Sequence, residues 1–171
     1  MSRQIFLDMD GVIVDLQCPL QELHHRDVSL AFHRHELELT DEQIWTGTDA
    51  IWWAHLPWME DGRAILALCE DAVGVENVIL CSTPAAWPGS AEGKIRWIEE
   101  QMPNYKRRFI LTPKKACCAN ARTLLIDDYE RNNVEFHNAG GAALLCPRPW
   151  NNNSNLNTLD YLREGIKEML E

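Results

Sequence analysis

The stretch "RQIFLDMDGVIVDL" (residues 3–16) decides how this chain is read. Ile5, Phe6 and Leu7 form a short run of large apolar residues that reads as a buried strand. The run ends on two carboxylates, Asp8 and Asp10, with Gly11 directly behind them. Taking a carboxylate out of water is costly unless something offsets its charge. Two acids at the mouth of a buried strand therefore imply a compensating partner, and Gly11 lets the chain turn there with no side chain in the way.

Four later segments share the character of the first. They are "NVILCS" (77–82), "RFILT" (108–112), "TLLID" (123–127) and "AALLC" (142–146). Each is short and continuously apolar, as expected of parallel strands covered on both faces. Helical patterns alternate with them. Ile95, Ile98 and Met102 share one face around 92–101, a short piece lies between Lys115 and Arg122, and 130–138 is stopped by Gly140 and Gly141. This alternation predicts an α/β fold, a doubly wound, five-stranded parallel sheet with right-handed crossovers.

The interval from residue 16 to residue 75 is longer than one crossover helix needs. It is expected to hold a small helical cap, leaving 1–15 and 76–171 as the core. Within it, Leu16–Phe32 and Asp61–Val73 are predicted helical, the second with Ile65, Leu68, Cys69 and Ala72 on one face. Thr40 and Gln43 have the spacing of a capping box. After the polar linker "NNNSN" (151–155), Leu156, Leu159, Leu162, Ile166 and Leu170 predict an amphipathic helix covering the sheet.

With 171 residues, 46% hydrophobic and 25% charged, the chain suits one compact domain with a substantial core. No stretch has the make-up of a signal peptide, and none approaches the roughly 18 apolar residues of a membrane span, so a cytoplasmic protein without a membrane partner is expected. Cys18, Cys69, Cys81, Cys117, Cys118 and Cys146 show no C-x-x-C spacing and are expected to be free, mostly buried thiols. His24, His25, His33 and His35 form no metal-binding pattern and are expected on a helix and its end. A net charge of −10 argues against gripping polymeric nucleic acid. A small phosphorylated ligand remains open, as do monomer and homodimer.

In an open parallel sheet, ligands bind in the crevice at the carboxyl ends of the strands. The residues gathered there are Asp8 and Asp10 after the first strand, Ser82 and Thr83 after the second, Lys115 beyond the third, and Asp127 and Asp128 at the end of the fourth. This set resembles the haloacid dehalogenase (HAD) superfamily of phosphatases: "DMDGV" (8–12) is similar to its first motif D-x-D-G-[TV], "LCST" (80–83) to its second, a lysine to its third and "LLIDD" (124–128) to its fourth. Alone, each has an ordinary explanation as a turn, a strand exit or a solvated charge pair. The joint occurrence carries the reading.

The resemblance implies a Rossmann-like HAD core and a role for each residue. Asp8 is the nucleophile that forms an aspartyl-phosphate. Asp10 is the general acid and base, which calls for a raised pKa near neutrality. Ser82 hydrogen-bonds the phosphoryl group with Thr83 adjacent, and Lys115 neutralises its charge, with Lys114 as the rival for that place. Four carboxylates in one crevice repel, and a hard cation relieves this. Mg²⁺ is the implied cofactor, held by Asp8, the backbone carbonyl of Asp10 and Asp128. Asp127 is then in the outer sphere or bound through water, although the order within this last pair stays open.

The second motif runs on as "STP", followed by "GKIRWIEE" (93–100), and the third and fourth run "FILTPKKACCANARTLLIDD" (109–128). Together with "CPRPWN" (146–151), these are similar to the 5'(3')-deoxyribonucleotidase branch, which implies a (deoxy)nucleoside monophosphate as the small-molecule substrate. Ser82-Thr83 stands where that branch has Thr-Ser, and the likeness thins over 16–60. Four tryptophans, Trp45, Trp52, Trp53 and Trp58, crowd the expected cap; they either build its core or offer a face on which a base stacks. By family position, Leu16, Trp52 and Trp53 are the expected pocket walls, and Lys94 either touches phosphate or lies on the surface. The competing readings are a phosphatase for another small ester such as a sugar phosphate, a phosphoacceptor domain similar to response-regulator receivers, and a ligand-binding domain without turnover.

Overall fold

The structure, a computed structural model, describes residues 3–25 and 39–170. Five strands, β1 (Gln4–Leu7), β2 (Val78–Ser82), β3 (Phe109–Leu111), β4 (Thr123–Asp127) and β5 (Ala142–Leu145), form one sheet in the order β3-β2-β1-β4-β5. Every pairing is parallel, with Leu7 opposite Leu80 on one side and Ile126 on the other. From β1 the chain winds outward through β2 to β3, then crosses back to β4 and β5. The winding therefore reverses beside β1, where such a sheet opens its crevice.

Side chains alternate across the sheet. Ile5, Leu7, Leu80, Leu124 and Ile126 join one core cluster, while Phe6, Cys81 and Leu125 join Phe136 in a second. The helices are α1 (Gln17–His24), α2 (Asp41–Trp45), α3 (Ala50–Ala54), α4 (Gly62–Val73), α5 (Ser90–Gln101), α6 (Glu130–Asn138) and α7 (Thr158–Leu170). Helix α4 packs on β1, β2 and α7, so the last part of the 16–75 interval is a layer of the sheet. Helix α7 rests on β5 and buries Leu162 and Ile166, while Leu156, before its first turn, is exposed. Among the described residues, no helix is long and apolar enough to cross a membrane.

The capping box at α2 forms as its spacing predicts. Thr40 Oγ1 accepts from the Gln43 amide at 3.2 Å, and Gln43 Oε1 accepts from the Thr40 amide at 2.9 Å. Two predicted helices come out differently. The helix expected over 16–32 closes after His24, where His25 turns into the left-handed region (φ 51°); Phe32, His33 and His35 lie outside the described residues. The piece expected between Lys115 and Arg122 is one 3-10 turn, Lys115–Cys118, that delivers Lys115 to the sheet edge.

Two contacts fix the surroundings of the crevice. Beyond β1 the amides of Val12, Ile13 and Val14 all donate to the Met9 carbonyl, at 3.1, 2.9 and 2.8 Å, making a tight turn around Gly11. Arg148, buried, clamps that turn from below: it donates to the Gly11 and Val12 carbonyls at 2.5 and 3.0 Å and to both Asp61 oxygens at 2.8 and 2.9 Å. On the other side α3 lies directly on α5. A Cβ at Gly93 would stand 2.3 Å from Trp53 Cβ and 2.6 Å from the Ala50 carbonyl, so only glycine permits this approach.

Candidate active site

The end of β1 places Asp8 at the centre of the crevice, and the end of β4 places Asp127 and Asp128 beside it. Asp8, Asp127 and Asp128 are all buried, and each offers a carboxylate oxygen within 4.8 Å of the others. Lys115 Nζ reaches into this group, 2.7 Å from Asp8 Oδ1 and 2.6 Å from Asp127 Oδ2. Lys114, the alternative, is exposed, and its amide donates to Thr112 Oγ1.

Each carboxylate has further partners. Asp8 Oδ1 accepts from the Met9 amide at 2.7 Å. Asp127 is fully engaged: Oδ2 also accepts from Asn132 Nδ2 at 2.9 Å, and Oδ1 accepts from the Tyr129 amide at 2.9 Å. Asp128 Oδ2 accepts from Trp150 Nε1 at 2.6 Å, and its backbone carbonyl accepts from Asn151 Nδ2 at 2.9 Å. Gly11 leaves room for this side chain; a Cβ there would lie 2.2 Å from Asp128 Oδ2.

The electrostatics follow from burial and crowding. Burial, reinforced by Asp127 and Asp10 and opposed by Lys115, pushes the Asp8 carboxyl up to about 7. Burial and the neighbouring Asp127 and Asp8 also raise Asp128 well above the ordinary carboxylate range. For Lys115, burial acts to lower the pKa, but Asp127 and Asp8 outweigh it, so the ammonium is held charged.

Asp10 faces the other lysine. The Lys94 ammonium, 2% exposed, pairs with Asp10 Oδ2 and donates to Ser82 Oγ at 3.2 Å, while lying 5.1 Å from the Trp53 ring centroid. Asp10 Oδ1 is buried with no hydrogen-bond partner among the described residues. Of the two expectations for Lys94, the surface one fails, because the side chain is a buried bridge between Asp10 and Ser82. Ser82 is fully buried beneath the crevice and does not line it; Thr83 does, with its hydroxyl donating to the Thr112 carbonyl at 3.0 Å.

Above these groups opens a cavity of about 490 Å³, floored by Asp8, Asp10, Lys115 and Asp128. Leu16, Ile44, Trp45 and Trp53 make an apolar wall. Trp52, expected beside Trp53 in that wall, is not among the lining residues; it packs edge-on against Trp53, with centroids 5.2 Å apart. Trp58 packs at a tilt against Trp97 instead. Alternation on a short helix explains the split: two adjacent residues on α3 cannot face the same way.

Sequence reasoning had Trp45 only as one of four tryptophans that could meet substrate, and it missed Trp150 and Asn132 as donors to the acids and Arg148 as the clamp under Gly11. "CPRPWN" carried the signal for two of these, since a buried Arg and Trp in a proline-bracketed loop are there to reach something. Taken together, four carboxyl groups share two ammonium groups in and beneath the cavity floor, and the crowding that raises Asp8 and Asp128 is what a bound cation would relieve. That balance, with oxygens clustered from three carboxylates, suits a hard divalent cation with an oxyanion above it.

Neither a protein-family model nor a curated protein sequence matches the chain. Solved structures do. A HAD family hydrolase from Deinococcus radiodurans R1, solved with bound phosphate and sodium, superposes with a TM-score of 0.59 over 98% of this chain and 96% of its own, at 13% identity. A HAD family enzyme from Bacteroides thetaiotaomicron, in complex with magnesium and inorganic phosphate, aligns at 14% identity over 91% of this chain and 98% of its own, with a TM-score of 0.48. The chain has the haloacid dehalogenase fold.

Proposed function

We propose that this protein is a Mg²⁺-dependent phosphoric monoester hydrolase, acting on (deoxy)nucleoside monophosphates through an aspartyl-phosphate at Asp8. The observation that carries the reading is the placement of Asp8: buried at the cavity floor, ion-paired to Lys115, with oxygens of Asp127 and Asp128 within 4.8 Å.

The residues fit a magnesium ion. The clustered carboxyl oxygens of Asp8, Asp127 and Asp128 match a hard divalent cation, which would displace the protons their crowding retains. Asp127 has both oxygens committed to Lys115, Asn132 and the Tyr129 amide, which suits it to bracing the cluster. Asp8 and Asp128, with the Asp10 main-chain carbonyl, are then the groups that would hold the ion. Bound there, magnesium supplies charge neutralisation for the phosphoryl oxygens.

The chain's own groups account for the transfer. Asp8 attacks phosphorus as the ester P–O bond breaks, and Asp10 gives a proton to the departing oxygen. Asp10 then takes a proton from the water that attacks the aspartyl-phosphate, releasing phosphate and restoring Asp8. Lys115 favours the ionised form of Asp8 against the pull of burial and balances charge on the phosphoryl oxygens, Thr83 borders the phosphoryl position, and Lys94 with Ser82 orients Asp10.

The nucleotide part rests on the apolar wall and on the motif likeness described above. A cavity of about 490 Å³ is of small-molecule size. Trp45 and Trp53 border it, which fits a planar leaving group. On this reading α1, α2 and α3, ahead of the sheet-packed α4, act as the cap that selects substrate. The six free thiols suit a reducing cytoplasm. Phosphate release, measured with Mg²⁺ across deoxynucleoside monophosphates, sugar phosphates and phenyl phosphate, tests the assignment. Nucleotides should lead the panel. Preference for a sugar phosphate would move the substrate while leaving the chemistry in place, and no Mg²⁺-dependent release from any ester would overturn both.

A further inference from the structure

Asp128 is gripped twice by one short loop. In "CPRPWN" (146–151), Trp150 Nε1 donates to Asp128 Oδ2 at 2.6 Å, and the neighbouring Asn151 Nδ2 donates to the Asp128 carbonyl at 2.9 Å. Both donor side chains are buried. The loop is braced internally: Asn151 Nδ2 also donates to the Cys146 carbonyl at 2.8 Å, and Asn151 Oδ1 accepts from the Arg148 amide at 3.3 Å. From the same loop Arg148 holds the Gly11 and Val12 carbonyls. One segment thus sets both the Asp128 carboxylate and the turn that carries the Asp10 carbonyl, and none of its residues lines the cavity. An indole N–H can satisfy itself on any carbonyl, yet this one is aimed at a carboxylate assigned to the ion.

The consequence is geometric. An ion that gripped Asp128 through both oxygens would have to displace the indole from Oδ2. Gly11 presses on the same atom, since a Cβ there would stand 2.2 Å from it. Asp8 is limited in the same way: its Oδ1 accepts from the Met9 amide and from Lys115 Nζ, both at 2.7 Å. Each carboxylate is thereby confined to one oxygen toward the ion. Ca²⁺ gathers more oxygens than Mg²⁺ and readily takes a carboxylate through both at once. Mg²⁺ keeps an octahedral shell built from one or two carboxylates and waters.

We infer that Trp150 is a positioning residue for the metal: by holding Asp128 Oδ2 it confines that carboxylate to a one-oxygen bond and gives the site a preference for Mg²⁺ over Ca²⁺. The inference rests on the magnesium reading and adds to it the group that sets selectivity.

The test is Trp150→Phe, which keeps a ring in the loop and removes the N–H. Dissociation constants for Mg²⁺ and for Ca²⁺ are measured by calorimetry without substrate, for wild type and variant. Wild type should bind Mg²⁺ the more tightly. Trp150→Phe should weaken Mg²⁺ binding by about 10–100-fold, the usual effect of losing an outer donor to a metal ligand, while Ca²⁺ binding changes by less than about threefold. A preference for Ca²⁺ in wild type, an unmoved Mg²⁺ constant, or equal losses for both ions would each overturn the inference. Equal losses would mark Trp150 as a packing residue only.

Should the variant fail to fold, hydrogen exchange of the indole proton in isotope-labelled wild type decides. The Trp150 N–H should stay protected with Mg²⁺ bound and exchange faster with Ca²⁺ bound; equal protection with both ions overturns the inference. The magnesium reading fails separately, if neither ion binds wild type at millimolar concentration. Mg²⁺ binding with a selectivity unmoved by Trp150→Phe sinks the role of Trp150 alone.

Discussion

Lys115 Nζ stands 2.7 Å from Asp8 Oδ1, and both side chains are almost completely withdrawn from solvent. The pair spans the gap between β1 and the 3-10 turn after β3, and Asp127 on β4 accepts from the same ammonium at 2.6 Å. One cation thus ties together three segments distant in sequence. It also keeps a crowded carboxylate available for attack.

Removing that cation should be costly. Lys115→Met strands Asp8 and Asp127 as buried acids with no ammonium between them. Breaking a buried pair from one side typically costs about 3–5 kcal/mol. Denaturant unfolding should show a loss of that order, and Mg²⁺-dependent phosphate release should fall at least about a hundredfold. Unchanged stability would mean that the acids are not ionised together.

The raised carboxyls give the metal-free protein a definite pH response. Asp8 titrates near 7 in the folded protein and near the ordinary 3.8 when unfolded. Between those values the folded state holds the extra proton, so stability falls as pH rises through that window. Asp128, also raised, acts in the same direction. Mg²⁺ competes with these protons, so its stabilising effect should grow from about pH 5 to pH 7. Melting curves with and without millimolar Mg²⁺ over this range check the sign, and Asp8→Asn should flatten the metal-free slope.

Gly11 is irreplaceable for two reasons. Its φ of +73° is strained for any side chain, and a Cβ would lie 2.2 Å from Asp128 Oδ2. Gly11→Ala should destabilise by about 1–3 kcal/mol. It should also displace Asp128, which a smaller Mg²⁺-induced rise in melting temperature at fixed metal concentration would report.

Gly93→Ala tests the seat of the substrate wall. The added methyl meets Trp53 Cβ at 2.3 Å and the Ala50 carbonyl at 2.6 Å, pushing α3 off α5. Destabilisation of about 1–3 kcal/mol is expected, together with a rise in KM larger than the fall in kcat. Equal effects on both would place the disturbance at the reacting groups instead.

Much of the site was legible in the sequence because its parts sit at strand ends. Continuously apolar runs mark buried parallel strands, and the acids, hydroxyls and lysine that terminate them must converge on one edge. Asp8, Asp10, Lys115, Asp127 and Asp128 do converge. What the pattern could not supply was orientation within short helices. In "IWWAH" (51–55) nothing local says that Trp53 faces the cavity while Trp52 backs it, since Gly93 on another helix decides which ring is pulled inward. Lys94 was equally opaque, because its burial depends on Asp10 and Ser82 meeting it from two strands. Arg148 looks like a loop charge until Asp61 and the Gly11 turn close around it.

The central claim is that Asp8 becomes covalently phosphorylated. Protein quenched in acid during Mg²⁺-dependent turnover, then treated with borohydride, should show reduction of the acyl phosphate on the peptide that contains Asp8, with no such mark in Asp8→Asn, whose turnover should drop at least about a thousandfold. Rapid phosphate release with no mark on that peptide, and substantial activity left in Asp8→Asn, would contradict the account.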